Sequence, residues 1–185
     1  GISIMKIIPK LDAGPVMMTS RIKISKETNY KKLNQELSKL GAKLILQSLN
    51  LIENGKEKFI DQNENEVTYA KKINKIDGKI DWNESAELIQ AKINALNPNP
   101  GGWFVFNNER YKILRADISL RHGRPGEVIN EDFIIGCGNK SLKILEIQRQ
   151  GKKPQNFKQF LLGSKIKPGT KSVSYTHLRA HETKS

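Results

Sequence analysis

The stretch that decides the fold is NPNPGGWFVFNNERYKILRADISL, which covers residues 97–120. The prolines and glycines at its start predict the end of a preceding helix, because proline lacks the N–H that a helix needs and glycine favours turns. The apolar run 103–106 predicts a short strand, and Asn107-Asn108 predicts a tight hairpin turn. A second strand is predicted over 111–120. The stretch therefore predicts a helix that leads into an antiparallel β-hairpin.

The residues on either side of this hairpin extend the same pattern. Ser85 opens a run of apolar residues at helical spacing, which predicts a helix up to Leu96. Further strands are predicted after the hairpin at 126–129, 133–137 and 142–148, with a short closing helix over 156–162. Short strands separated by turns at this density favour a small antiparallel barrel.

The first part of the chain has a different pattern. The apolar run 1–8 predicts a buried strand that Pro9 stops, and 16–24 predicts a second strand after the turn Leu11-Asp12-Ala13-Gly14-Pro15. A helix is predicted over 30–53 from its stripe of apolar residues, with Thr28 as N-cap and Gly55 as the C-terminal stop. These elements fit the edge of an α/β sheet. The predicted fold class is therefore α/β followed by mainly β.

Charge and composition limit the classes of function that are possible. The net charge is +13, and residues 86–171 contribute +8 of it, which favours a polyanionic partner such as nucleic acid; a general lysine bias is the alternative explanation. No apolar run approaches the roughly 18 residues that span a bilayer. The single cysteine, Cys137, excludes an intramolecular disulfide, so a reducing, cytoplasmic setting is predicted. The chain starts without Met inside a predicted strand, which predicts a truncated fragment.

Five short motifs carry a family resemblance. Gly1-Ile-Ser-Ile-Met followed by Leu11-Asp12-Ala13-Gly14 resembles the signature of the formyltransferases that use 10-formyltetrahydrofolate. The later motifs, in the same order, are similar to the linker and C-terminal domain of the methionyl-tRNA formyltransferase branch of that family. They are Thr68-Tyr-Ala-Lys-Lys-Ile73 with Ile80-Asp-Trp82, Asn97-Pro-Asn-Pro-Gly-Gly-Trp103, Pro125-Gly-Glu-Val-Ile129 and Gly151-Lys-Lys-Pro154. The resemblance covers residues 1 to about 171, and five motifs in order are far more specific than any one alone.

The resemblance implies a domain organisation. Residues 1–62 would be the C-terminal part of a truncated, Rossmann-like catalytic domain, and 63–85 would be a linker. Residues 86–171 would form an OB-like barrel that binds tRNA. The remaining segment, 172–185, contains SYTHLRAHET and resembles a translated sequencing adapter, so we predict a non-native, disordered tail. His177 and His181 in that segment have metal-ligand spacing, but for the same reason no metal site is predicted.

The resemblance also implies the chemistry of the site. Asp12 would be the catalytic carboxylate that handles the proton while an amine attacks the formyl carbon. Its Asn and His partners would lie upstream of Gly1. Residues of the turn before Asp12 would line the folate pocket, and these are Ile8, Pro9, Lys10 and Leu11. Lys6 and Pro9 depart from the residue types usual in the family. Read without the resemblance, Asp12 would only shape a turn with Gly14.

The predicted partner is initiator methionyl-tRNA, with no membrane and no protein partner, and the predicted state is a monomer. Clusters of lysine and arginine are the candidate residues for contacts to the phosphates of this tRNA. They are Lys71, Lys72, Lys75, Arg149, Lys152 and Lys153. Arg110, Lys112 and Arg115 on the second strand of the hairpin are further basic candidates, and 110 and 112 share a face. For any single lysine, an ordinary solvated surface is the competing explanation.

Two alternative functions stay open at this point. A sibling formyltransferase or a formylfolate hydrolase would share the Asp12 turn but would act on a sugar nucleotide or on water. A non-catalytic RNA-binding barrel would use residues 86–171 alone. Salt-dependent affinity for tRNA distinguishes the first alternative from the leading hypothesis, because only a polyanionic partner releases counterions on binding.

Overall fold

The computed structural model describes residues 1–164 and 166–171, so the predicted tail at 172–185 lies outside the described residues. The chain divides into two compact units, of which the first is Gly1–Lys72 and the second begins at Ile73. This division falls inside the segment predicted as a linker. Within the described residues, no helix is both long enough and apolar enough to cross a membrane.

The first unit contains two strands and one long helix. Strand β1 (Ile2–Met5) pairs antiparallel with β2 (Val16–Ser20), and α1 (Tyr30–Glu53) follows with the predicted bounds. Both strands are shorter than predicted. β1 ends early because the register shifts at Ile4/Met5 and the chain then turns away from its partner strand.

The ends of α1 correct one prediction and confirm another. The N-cap is Asn29 rather than Thr28, because the Asn29 side chain accepts a hydrogen bond from the backbone N–H of Lys32 at 2.9 Å. The Thr28 hydroxyl instead accepts from the N–H of Ser25 at 3.0 Å. At the other end Gly55 has φ +63°, the left-handed conformation that commonly follows a helix, so the predicted stop is confirmed.

The second unit is mostly β, with a curled antiparallel sheet. Strands are adjacent in the order β3-β4-β6-β5, and the short strand β7 pairs with the later part of β6, beyond the residues that pair with β5. The elements in chain order are α2 (Ala86–Leu96), β3 (Gly102–Phe106), β4 (Glu109–Ser119), β5 (Ile134–Gly136), β6 (Ser141–Arg149), β7 (Gln155–Asn156) and α3 (Phe157–Leu162). Ser85 caps α2 as predicted, since its side chain accepts from the N–H of Leu88.

The predicted hairpin is confirmed as β3 and β4. Asn107 and Asn108 have φ of 48° and 60°, the left-handed values that a two-residue turn of this kind needs. Phe106 then pairs with Glu109. Farther along β4, the register against β6 shifts on both sides of Arg115. Such irregularities bend a strand and increase its twist, which accounts for the curl of the sheet.

Two predicted strands differ from the structure. Residues 126–129 form no strand; Val128 makes only an isolated bridge to Ile135, and Gly126 turns the chain with φ +76°. The strand predicted at 133–137 is reduced to β5, because Phe133 has φ +56° and leaves the extended conformation.

Helix α2 packs on one face of the sheet and closes the core. Ile89 and Ile93 of α2 are fully buried together with side chains from β4 and β6. Ile80 and Trp82, from the segment predicted as a linker, belong to the same core. A chain of aromatic contacts runs from Trp82 through Phe104, Tyr111 and Phe160 to Phe133. This core fixes the strands β4 and β6, which carry Arg110, Lys112 and Arg149.

Candidate functional site

The turn that carries Asp12 connects β1 to β2 in the first unit. The N–H of Lys6 donates to the carbonyl oxygen of Pro15 at 3.0 Å and closes the turn. Gly14 is required there, because a Cβ on it would lie 1.7 Å from the carbonyl oxygen of Lys6. Asp12 itself has φ +53°, a left-handed conformation that aspartate adopts more readily than most residues. The turn therefore has a defined backbone rather than a free loop.

Gln62 braces this turn from a distant part of the sequence. Its side-chain amide donates to the carbonyl oxygens of Asp12 at 2.9 Å and Gly14 at 2.7 Å. The Asp12 side chain is exposed, and its carboxylate makes no hydrogen bond within the described residues. Sequence reasoning missed Gln62, since a lone glutamine 50 residues away carries no local signal. The arrangement presents one carboxylate to solvent on a braced backbone.

The four residues before Asp12 form the exposed outer part of the turn. Leu11 is 87% exposed and Ile8 is 37% exposed, so two apolar side chains lie on the surface beside the carboxylate. The backbone N–H groups of Ile8, Lys10 and Leu11 form no hydrogen bond within the described chain. Lys10 pairs with Glu64 at 3.0 Å, and the hydrogen bond to that carboxylate raises the pKa of the lysine. The structure therefore brings the predicted folate residues together around Asp12.

In the second unit, three of the predicted basic residues lie in one groove at the tip of the β3–β4 hairpin. We call it the hairpin groove. It has a volume of about 600 Å³ and lies against α3. Its lining includes Phe106, Glu109, Tyr111, Arg149, Lys152, Lys153 and Phe160. Gly151, with φ +72°, turns the chain after β6, and the N–H of Lys152 donates to the carbonyl oxygen of Arg149 at 3.0 Å. This turn holds the backbone of the Lys152-Lys153 pair at the groove.

Glu109 is the acidic residue at the centre of this groove. It accepts hydrogen bonds from the Arg149 guanidinium and from the Tyr111 hydroxyl, the latter at 2.8 Å. The bonds from Arg149 and Tyr111 lower the pKa of the Glu109 carboxyl. Burial, followed by the Glu109 hydrogen bond, raises the pKa of Tyr111 to about 12. Sequence reasoning missed Glu109 and Tyr111, because their partnership with Arg149 depends on the register of β4 against β6.

A second groove lies beside the first. We call it the Trp103 groove, and its volume is about 690 Å³. Four cationic side chains line it, and these are Lys75, Arg110, Lys112 and Arg149. The Arg110 guanidinium lies over the Trp103 ring at 4.0 Å from its centroid. Lys75 and Arg149 are thus brought together, and Arg110 and Lys112 lie on one face of β4 as the alternation predicts.

The remaining predicted residues lie elsewhere. Lys71 and Lys72 are exposed and belong to the first unit, so they form no part of either groove. Cys137 is buried in the core of the second unit, and burial raises the pKa of its thiol to about 12. Among residues 1–164 and 166–171, no three His, Cys, Asp or Glu side chains are placed to hold a metal ion. His177 and His181 lie outside the described residues.

Comparison with known proteins identifies relatives of both units. A family model described as the C-terminal domain of formyl transferases matches residues 72–165. The methionyl-tRNA formyltransferase of Pelagibacter ubique is 49% identical over 172 residues, which are 92% of this chain and 56% of that protein. The methionyl-tRNA formyltransferase of Bradyrhizobium diazoefficiens is 37% identical, with the same coverage of 92% and 56%. The chain matches the C-terminal part of these relatives and spans just over half their length.

A solved structure is similar in fold. The structure of HypX from Aquifex aeolicus in complex with tetrahydrofolic acid matches with a TM-score of 0.66 at 18% identity. The match covers 86% of this chain and 29% of that chain. At this identity the likeness is one of architecture.

Proposed function

Since the chain belongs to the formyl transferase family through its C-terminal domain, we propose that it is the C-terminal part of a methionyl-tRNA formyltransferase. The whole enzyme would transfer a formyl group from 10-formyltetrahydrofolate to the amino group of initiator methionyl-tRNA. The observation that carries this proposal is the 49% identity to the Pelagibacter ubique enzyme over 92% of the chain. The chain would supply two parts of the reaction, a carboxylate and a tRNA-binding surface, and would be inactive alone.

The proposed catalytic residue is Asp12. The amine of the aminoacyl group would attack the formyl carbon, so that a C–N bond forms while the bond to the folate nitrogen breaks. The attacking nitrogen must lose a proton, and the Asp12 carboxylate would take it and pass it towards the leaving nitrogen. The braced turn supports this role, because Gln62 and Gly14 hold the backbone while the carboxylate itself is free to meet a substrate. Asn and His donors for the oxyanion would come from the part of the relatives that the chain does not match.

The proposed folate contacts are Ile8, Pro9, Lys10 and Leu11. A pterin ring needs apolar contact on its faces and hydrogen bonds at its edge. The turn offers both, since Ile8 and Leu11 are exposed and the backbone N–H groups of Ile8, Lys10 and Leu11 have no partner within the described chain. The Lys10 ammonium group pairs with the Glu64 carboxylate of the same unit. The residues present therefore fit a folate-linked formyl donor.

The proposed tRNA-binding residues are Lys71, Lys72 and Lys75 near the unit boundary and Arg149, Lys152 and Lys153 in the hairpin groove. Lysine and arginine neutralise phosphates and release counterions, which supplies affinity without reading sequence. The net charge of +8 over residues 86–171 supports this assignment. The first unit would be the end of a Rossmann-like domain, and the second an OB-like barrel, an architecture that commonly presents nucleic acid to one face.

A chimera tests the proposed function. The chain is joined to the N-terminal part of the Pelagibacter ubique relative, and the product is given formylated folate with each of three acceptors. We expect transfer to initiator methionyl-tRNA, and little transfer to an amino-sugar nucleotide or release of formate. The intact relative is the positive control, and its N-terminal part alone is the blank. Preferred transfer to the amino-sugar nucleotide, or to water, would replace the proposal with the sibling activity.

A further inference from the structure

The lining of the Trp103 groove is strongly cationic. The residues that line it include four cations and no carboxylate. Several side-chain amides complete the lining, among them Asn99, Gln148 and Gln150. Elsewhere on this unit, cations are matched by acids, as in the Lys140–Glu87 and Lys92–Glu84 pairs. Arg149 is paired with Glu109 of the neighbouring groove, but the lining of the Trp103 groove itself holds no acid. A concave surface that combines cations with amide donors is suited to an anion that can also accept hydrogen bonds.

The groove is also preformed. Trp103 is almost fully buried, its indole N–H donates to the carbonyl oxygen of Lys75 at 2.8 Å, and its own carbonyl oxygen accepts from the N–H of Ile80. One hydrogen bond holds the indole ring and the other holds the backbone of Trp103, so the position of this residue in the groove is fixed. The stem of Lys112 lies across Gly101, where a Cβ would come within 3.0 Å of it. Cation and aromatic ring are thus positioned before any ligand arrives.

Arg110 is the distinctive member of this lining. Its guanidinium carbon lies 4.0 Å from the centroid of the Trp103 ring, within the range of a cation–π contact. Arg110 therefore contacts the indole and also lines the groove. Unpaired bases in RNA commonly stack on such guanidinium planes, whereas lysine offers only a point charge.

We propose that the Trp103 groove binds one unpaired nucleotide of an RNA strand, with its base stacked on Arg110 and its phosphate held by Lys112, Lys75 and Arg149. This inference deepens the proposed function and rests on it for RNA as the natural polyanion. The volume of about 690 Å³ lies in the range, roughly 300–1,000 Å³, that small-ligand clefts occupy, and so suits a single nucleotide. Arg149 would serve both grooves, because it lines each of them while paired with Glu109.

The test separates stacking from charge. The full chain is titrated with a short single-stranded oligoribonucleotide and, separately, with inorganic polyphosphate, and binding is followed by fluorescence anisotropy and competition. Arg110→Lys keeps the charge but removes the plane, so we expect RNA affinity to fall by about tenfold or more while polyphosphate affinity is unchanged. Lys112→Gln removes a phosphate contact, so we expect it to weaken both ligands and to reduce the salt slope for RNA by about 0.7.

The matched control is Arg124→Lys, the same substitution at an exposed arginine outside both grooves. It should leave both affinities unchanged. The proposal is overturned if Arg110→Lys binds RNA like the parent chain, if it weakens RNA and polyphosphate equally, or if Arg124→Lys produces the same loss. Binding is measured without formyl transfer, so the two proposals can fail separately. Unchanged RNA affinity of Arg110→Lys, in a chain whose chimera formylates tRNA, would refute the groove alone. RNA binding in the groove by a chain whose chimera does not formylate tRNA would refute the proposed function alone.

Discussion

Phe133 combines complete burial with a backbone conformation that suits glycine. Its side chain is fully buried and stacks on Phe160 of α3 at 5.6 Å between ring centroids, while its φ is +56°. The left-handed conformation costs an L-residue about 1–2 kcal/mol relative to glycine. Removing the ring costs a further 3–5 kcal/mol or so, as for other buried Phe→Ala changes. The Phe133 ring therefore packs against α3, which contributes Phe160 to the lining of the hairpin groove. This packing is accompanied by strain in the backbone of Phe133.

The experiment compares Phe133→Ala with Phe133→Gly, and Ile135→Ala with Ile135→Gly. In an extended strand such as β5, glycine is less stable than alanine by about 0.5–1 kcal/mol because it loses more backbone freedom. At Phe133 the relief of strain opposes this loss, so Phe133→Gly should be as stable as Phe133→Ala or more stable by up to about 1.5 kcal/mol. The difference between the two sites isolates the strain, about 1–2 kcal/mol.

Urea denaturation followed by tryptophan fluorescence measures this difference. Both tryptophans of the chain, Trp82 and Trp103, are buried in the second unit, so the signal reports the unit that contains Phe133. All four variants are measured in the same stabilising osmolyte, which raises folding stability and keeps destabilised variants within range. The reasoning is refuted if glycine is less stable than alanine by the same amount at both positions.

Two further predictions concern single groups in the second unit. The pKa of Glu109 is lowered in the fold, so its interactions stabilise the protein above the ordinary value of 4.5 and lose that effect as pH falls through the lower, folded-state pKa. The Tm difference between the parent chain and Glu109→Gln should therefore shrink as pH falls below 4.5, and a constant difference would contradict it. The pKa of the Cys137 thiol is raised to about 12 by burial, so the native chain should resist a thiol-specific disulfide reagent at pH 8 and react with one equivalent in urea. Rapid labelling of the native chain would show that this thiol is accessible.

Local signals predicted the elements whose causes are local. Helix α1 has a complete apolar stripe and a glycine stop, and both bounds agree with the pattern. The β3–β4 hairpin depends on Asn107 and Asn108, two adjacent residues that accept left-handed backbone. The N-cap of α1 was misplaced by one residue, because Ser25, Thr28 and Asn29 can all accept a backbone hydrogen bond and only the geometry decides between them.

The sites depend on contacts that no local pattern contains. Arg149 meets Glu109 only through the register of β6 against β4, and Gln62 reaches the Asp12 turn across 48 to 50 residues of sequence. Phe133 reads as part of a strand, yet it bends the chain to place its ring against α3. The basic clusters were predicted from the sequence, but the division of their residues between two grooves follows from the fold.

The role of Asp12 is the central claim, and the rate of formyl transfer tests it most directly. In the chimera with the Pelagibacter ubique N-terminal part, Asp12→Ala should lower kcat/KM for initiator methionyl-tRNA by about 10²–10⁴, the usual cost of losing a general base. Asp61→Ala, which removes an exposed carboxylate next to Gln62, should leave the rate unchanged. A rate for Asp12→Ala within about tenfold of the parent chimera would contradict the account, because Asp12 would then do no more than shape its turn.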